Sequence, residues 1–232
     1  MSQAPRRLVI ATANPGKLRE FKSLLAGLPF ELTSTGELGL SSPEETGTTF
    51  LANALLKARH AANLSGSAAV ADDSGLEVDA LGGAPGIYSA RYAGFGADDA
   101  ANNAKLMLAL AGVAREQRRA RYRCALVFIE FAGDSAPLVA EADWEGFILD
   151  APRGSGGFGY DPYFWLPELH KTAAELPPAE KNRLSHRGKA MRALREQLAS
   201  RARTGRESAG ASPNCASPNG ASPNDASLKG RA

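Results

Sequence analysis

The stretch TANPGK (Thr12–Lys17) sets a lysine where a run of β-formers gives way to helical spacing. A lysine at such a junction puts a point charge beside the free backbone N–H groups of a helix start, an arrangement that binds anions. A Pro-Gly turn with a solvated lysine fits the same residues. The pattern differs from the phosphate loop G-x-x-x-x-G-K-[ST]: Ala11 stands at the first glycine, and Leu18 replaces the hydroxyl that would hold Mg²⁺. If this chain handles phosphate and metal together, carboxylates elsewhere must hold the metal. Two segments supply them. ADDSG (Ala71–Gly75) follows an apolar run, and hard cations take carboxylate oxygens together with water and phosphate; paired aspartates also build ordinary turns. SPEETG (Ser42–Gly47) places Glu44 and Glu45 before a helical segment, where they would hold metal or simply complement the helix dipole. Lys57 lies deeper in that segment, a position that suits an ordinary surface lysine.

A further cluster combines GGFGYDPYF (Gly156–Phe164) with KNRLSHRGKA (Lys181–Ala190). Phe158, Gly159, Tyr160 and Asp161 offer a stacking face and an edge acceptor, while Lys181, His186 and Arg187 offer cations. A planar ring with a cationic cluster suits a nucleotide, the base stacked and the phosphate paired. A buried aromatic loop beside a charged helix, with Ser185 as a local cap, is the plainer account. The arginine-rich Arg115–Arg123 reads as a solvated connection and not as a nucleic-acid patch. The histidines at 60, 170 and 186 lack zinc spacing, and no G-x-S-x-G elbow is present.

Positioning these groups requires a framework. Apolar periodicity predicts strands at Leu8–Thr12, Phe30–Thr35 and Ala68–Ala71, the last running into an irregular glycine-rich segment, and helices at Pro15–Leu25, Thr49–Leu64 and Asp98–Leu110. Two β-type runs around Gly133-Asp134-Ser135 predict an antiparallel hairpin, and one long helix is expected from Pro178 to about Arg201. Strands alternating with helices, then a long hairpin, favour an α/β or α+β fold with a mixed sheet.

At 232 residues, 44% hydrophobic and with a net charge of +2, the chain has ordinary globular composition and no bias toward a bulk polyanion such as nucleic acid. No run approaches the roughly 20 apolar residues that span a bilayer. The N-terminus has no signal-peptide pattern, and the two cysteines, Cys124 and Cys215, make a poor disulfide framework, so a cytoplasmic location is expected. A domain over residues 1–200 is expected. After it, residues 201–232 carry a pentapeptide repeat (ASPNC ASPNG ASPND) too poor in apolar side chains to offset its ordering entropy, and are expected to be disordered.

Together TANPGK, EETGTTFLANALLKARHAA (Glu44–Ala62), ADDSGLEVDALGGAPGIYSARYAG (Ala71–Gly94), GGFGYDPYF, KTAAEL (Lys171–Leu176) and SHRGKA (Ser185–Ala190) occur in the order of one family. The chain resembles the inosine/xanthosine triphosphate pyrophosphatases of the Ham1/RdgB type, roughly from Leu8 to Ala199. The tail lies outside the resemblance, and Ala52 stands where that family leads one to expect glutamate. The resemblance implies a two-lobed α/β fold with a long mixed sheet, a nucleotide cleft between the lobes and a homodimer. It implies Mg²⁺-dependent hydrolysis of hypoxanthine or xanthine nucleoside triphosphates to monophosphate and pyrophosphate. On that pattern Asp73 is general base and metal ligand, Glu44 or Glu45 adds a metal carboxylate, and Asp72 assists. Thr12, Ala13, Asn14, Pro15, Gly16 and Lys17 would cradle the triphosphate, with Ser74 and Lys57 nearby. Phe158–Asp161, Lys181, His186 and Arg187 would hold the base and adjoining phosphate. The septum-inhibitor-type pyrophosphatases share the implied fold but begin with a Ser-x-Ser-Pro-Arg-Arg strand end. A nucleotide sensor without turnover is a rival of another class, disfavoured by the carboxylate set.

Overall fold

The computed structural model describes residues 6–210, with side chains as far as Arg201. The first strand, β1 (Arg6–Ile10), enters α1 (Pro15–Leu24), whose N-cap Asn14 accepts from the Lys17 N–H at 3.0 Å and whose first position is proline. Such a start satisfies one orphan donor and needs no other. Strand β2 (Phe30–Ser34) returns parallel to β1. Helix α2 (Phe50–Ser65) is capped by Thr49 and closed by Gly66 at φ 62°. There follow β3 (Ala68–Val78), a 3₁₀ turn at Gly86–Arg91, α3 (Asp99–Ala109), and the hairpin β4 (Arg119–Ile129) and β5 (Leu138–Ile148). Short strands β6 (Phe164–Leu166) and β7 (Lys171–Thr172) precede α4 (Pro178–Leu184) and α5 (His186–Gly210).

The strands form a seven-stranded mixed sheet in the order β2-β1-β3-β4-β5-β6-β7. β1 lies parallel to both its neighbours, and every pair beyond β3 is antiparallel. β3, β4 and β5 have 11 residues each, about 36 Å of strand, long enough to serve two cores in succession. At one end Leu8, Ile10, Val70, Leu126 and Phe128 pack against Phe21 and Leu25 on the α1 side and Met191 and Leu194 of α5. On the reverse face Ala69, Ala71, Val127 and Ile129 meet the alanines of α2, small enough to let helix and sheet approach closely. At the far end Leu76, Val78, Tyr122 and Ile148 pack with Leu106 of α3 and Phe164. Between the first and last of these cores, on one face of β3, sit Asp72 and Ser74. That gap is the cleft expected between two lobes.

The structure departs from the sequence reading in three places. β3 does not stop at Ala71 but continues through the Asp-Asp-Ser-Gly run, paired with β4 from Ala69↔Ile129 to Val78↔Ala120. These are turn-forming residues held straight by a partner strand, a case of tertiary pairing overriding local preference. The helix expected from Pro178 is broken at Ser185, whose extended backbone ends α4 and whose Oγ accepts the Gly188 N–H at 3.1 Å to start α5. A Cβ on Gly188 would collide with the Asn182 carbonyl, so glycine there lets the two helices meet at a corner. Finally, α5 runs on to Gly210 because the alanine- and arginine-rich stretch after Leu198 has no proline before Pro213. The repeat tail from Ala211 and Cys215 lie outside the described residues.

Gly75 shows how tightly the strand is enclosed. A Cβ there would strike the Gly86 carbonyl and come within 2.5 Å of Ser89 Oγ, which itself accepts the Leu76 N–H at 2.8 Å. Gly75→Ala is therefore expected to cost about 1–3 kcal/mol, read as a lower urea midpoint at unchanged slope. An unchanged midpoint would show that the Gly86–Arg91 turn yields freely.

Candidate active site

β1 pairs with β3 only as far as Ile10↔Val70. Beyond that point the chain turns away into Thr12–Asn14, and a cavity of about 690 Å³ opens beside the freed edge of β3. This is the crevice past the carboxyl end of a strand where α/β sheets gather ligands. Its size is that of a typical small-molecule site.

Because side chains alternate along a strand, the consecutive aspartates Asp72 and Asp73 face opposite sides of the sheet. Asp72, only 1% exposed, meets the cations of α1 and α5: Lys17 Nζ lies 3.1 Å and Arg187 Nη2 3.0 Å from its Oδ2, and Ser74 Oγ donates to the same atom at 2.9 Å. Arg187 pairs in turn with Glu20 of α1. Lys181 stands 3.0 Å from Glu20 and 2.6 Å from Asp161, whose other oxygen accepts from Tyr122 Oη at 3.2 Å. The chain of charges alternates in sign across the cleft. Burial opposes ionisation of Asp72, yet Lys17 and Arg187 overcome it and hold the carboxyl well below the usual range. Burial likewise works against Glu20, and Arg187 and Lys181 outweigh it. For Asp161 burial wins over Lys181, and the carboxyl is raised.

Asp73 turns instead toward α2. Lys57 Nζ sits 2.7 Å from its Oδ1 and 2.9 Å from Glu45 Oε1, and Asn53 donates to its Oδ2 at 3.3 Å. Arg91, from the 3₁₀ turn, holds the other oxygen of Glu45 at 2.6 Å. Burial raises the Asp73 carboxyl above its ordinary value, with Lys57 opposing the rise only in part. Two adjacent carboxylates thus acquire opposite tendencies: one fixed as an anion, the other readier to take a proton, the division of labour that acid–base sites show.

The base-recognition candidates also converge. The Phe158 ring lies under Lys181 Nζ at 4.7 Å and under Arg187 Cζ at 5.9 Å. His186 stacks on Tyr122 with ring centroids 4.8 Å apart and planes 10° from parallel. Burial, then the neighbouring Arg187 and Lys181 charges, push its imidazole far below the ordinary value, so it is neutral. Its Nδ1 is buried with no hydrogen-bond partner among the described residues.

The cavity wall includes Thr12, Ala13, Asn14, Lys17, Lys57 and Asp72–Ser74, then Phe158–Asp161, Lys181, His186 and Arg187. Pro15 and Gly16 are not in it. Gly16 is buried beneath Phe158, where a Cβ would come 2.5 Å from the ring, so its smallness serves the contact between α1 and the aromatic loop. Glu45 is brought to Asp73 through Lys57, while Glu44 is exposed at the cavity wall. Among the described residues, no three His, Cys, Asp or Glu side chains converge on a metal position. Glu20, Asn53 and Arg91 were not anticipated. Glu20 lies 167 positions from its partner Arg187, a separation at which no local pattern signals contact.

Fold and cleft together define a mixed α/β protein whose pocket, lined by paired cations and carboxylates, has the size of a small-molecule site. The Ham1 family model matches residues 8–197, and the chain belongs to the Ham1 family. It is 56% identical over 193 residues to the dITP/XTP pyrophosphatase of Pectobacterium atrosepticum, covering 83% of this chain and 98% of that one. Among solved structures it is similar to a HAM1 protein from Coxiella burnetii (45% identity, TM-score 0.77, 84% and 99% of the two chains). It is also similar to the nucleoside-triphosphatase / dITP/XTP pyrophosphatase of Mycobacterium abscessus (43% identity, TM-score 0.62, 81% and 98%).

Asp72→Asn would leave Lys17 and Arg187 facing a neutral amide in a buried site, and is expected to cost about 3 kcal/mol or more in urea unfolding. The folded Asp72 loses its proton more readily than the unfolded one. Its contribution is thus present above about pH 4 and lost as the pH falls lower. The variant is therefore expected to lose less stability than the wild type between about pH 4 and pH 2; equal losses would contradict the role.

Proposed function

We propose that the chain hydrolyses non-standard purine nucleoside triphosphates (dITP, ITP and XTP) to the monophosphate and pyrophosphate. It would thereby clear them before incorporation into DNA or RNA. In this reading it acts in the cytoplasm as a homodimer. The observation that carries the reading is the convergence of a raised carboxylate, Asp73, with Glu45 on Lys57, within a cavity whose wall also carries Lys17, Lys181 and Arg187 with their paired carboxylates and the Phe158 ring. Relatives that match most of the chain are named dITP/XTP pyrophosphatases, which supports it.

The charge balance argues for a metal that arrives with the substrate. Lys17, Lys181 and Arg187 are matched by Asp72, Glu20 and Asp161, and Lys57 and Arg91 by Asp73 and Glu45, so these ion pairs leave no surplus positive charge for a triphosphate. The donor set fits Mg²⁺, which is commonly held by one or two carboxylates plus substrate phosphates and water. Asp73 and Glu45 would hold it, with Glu44 within the same wall. When bound, Mg²⁺ would neutralise phosphate charge and acidify water.

The residues of the chain supply the rest. Lys17, at the start of α1, holds phosphate oxygens. Asn53 and Lys57 fix the two oxygens of Asp73, which takes a proton from the attacking water. The water oxygen bonds to the α-phosphorus, the bridging bond to the β-phosphate breaks, and pyrophosphate leaves with the electron pair. At the other end, His186 and Arg187 open α5, and their N–H groups have no acceptor within the helix. They suit the 6-oxo oxygen of hypoxanthine or xanthine and would face the amine of adenine with donors.

Pyrophosphate release from ITP, XTP, dITP, GTP and ATP, with and without Mg²⁺, tests the proposal. Turnover of the first three only with metal is expected, and binding without turnover would favour a sensor. Asp73→Asn is expected to lower kcat by about 10²–10⁴-fold in a folded protein; near-normal turnover would remove Asp73 from its role. Lys17→Ala should mainly raise KM, because the lysine contacts phosphate in ground and transition states alike. An unchanged KM would count against that contact.

A further inference from the structure

Helix α3 carries none of the residues assigned above, yet its Asp99 and Asn102 lie in the cavity wall and its polar side chains hold the segments on either side of it. Asn102 accepts the Ala93 N–H at 2.8 Å and donates to the Ala90 carbonyl at 3.2 Å, gripping the segment that carries Arg91. Asp99 and Asn103, four residues apart and so on one helix face, take hold of the aromatic loop. The Gly159 N–H donates to Asp99 Oδ2 at 2.7 Å, and Asn103 Nδ2 donates to the Gly159 carbonyl at 2.9 Å. Both edges of one residue are held from the same helix. Asn103 also donates to the Asp99 carbonyl at 2.8 Å, which fixes its amide orientation, and Asp98 caps the helix so that Asp99 is not needed there.

Gly159 is the loop residue that most needs such a hold. It adopts φ +63°, a left-handed conformation that reverses the chain between Phe158 and Tyr160. Its neighbours are anchored by other means: Tyr160 Oη donates to the Ser89 carbonyl at 2.8 Å, and Asp161 accepts the Phe158 N–H at 2.9 Å. Phe158 directly precedes Gly159, and its ring forms the wall between α1 and the cations Lys181 and Arg187.

We propose that Asp99 and Asn103 are positioning residues which, by gripping Gly159, fix the Phe158 wall and so determine how tightly the base end of a nucleotide is held, without touching the phosphate end. The inference rests on the reading of the cleft as a nucleoside triphosphate site. Its test separates the two ends of the ligand: calorimetric binding of dITP, supplied as its non-hydrolysable α,β-methylene analogue, and of inorganic tripolyphosphate to the full chain, with Mg²⁺ present, while turnover is followed separately with dITP itself. Asp99→Ala is expected to weaken dITP binding about tenfold while tripolyphosphate binding changes less than about twofold, and Asp99→Asn, which keeps an acceptor, should stay within about threefold of wild type for dITP. Asn103→Ala, which removes the other half of the grip, should shift dITP binding in the same direction. Equal weakening of both ligands would mean general loosening of the fold and overturn the proposal, as would unaltered dITP binding in both alanine variants. Wild-type binding of dITP without turnover would sink the pyrophosphatase reading and leave the grip standing; no binding of dITP would sink both.

Discussion

A carboxylate buried to 1% exposure stays ionised only if cations are brought to it, and the cleft is organised around meeting that demand at Asp72. Lys17 comes from the start of α1 and Arg187 from the start of α5, elements separated by most of the chain. Arg187 then requires Glu20, Glu20 accommodates Lys181, and Lys181 meets Asp161 at the root of the aromatic loop. Each ion pair is satisfied by a residue from another element, so the two helices and the loop are held in one mutual arrangement. Loss of any member strands a buried charge, which is why such a network specifies geometry more than it adds stability.

The same strand solves a second problem by its periodicity alone. Asp73, one residue on, is turned to the opposite face, away from Lys17 and Arg187 and toward Asn53, Lys57 and Glu45. A single Asp-Asp pair thus provides both an anchor for the cations of α1 and α5 and a carboxylate whose proton affinity is raised. On a helix or a turn, neighbouring aspartates would repel each other in a shared environment. In a paired strand they meet different partners, Asp72 chiefly Lys17 and Arg187 and Asp73 chiefly Lys57, although Lys17 and Lys57 each act on both.

Much of this was legible in the residues. Apolar spacing placed α1 and α2, and the ends of β1 and α2 fall within two residues of that pattern. The converging motifs were read from residue types because phosphate, metal and purine each demand particular donors. The readings that failed share a cause. The Asp72–Val78 segment looks like a loop because its residues favour turns, and only ten consecutive pairings to β4 straighten it. The corner at Ser185 depends on Gly188 passing the Asn182 carbonyl, a contact without local periodicity. Gly16, expected to help cradle phosphate, lies instead beneath Phe158, far along the chain.

The sequence by itself determined most of the strands and helices and the family, since these follow from local propensity and ordered motifs. Tertiary structure alone decided which carboxylate faces which cation, that Glu45 and not Glu44 shares Lys57 with Asp73, and that α3 holds the wall of the cleft through Gly159. Those outcomes depend on strand pairing and helix placement across long separations. Charges and hydrogen bonds act over a few ångströms in space, whatever their distance along the chain.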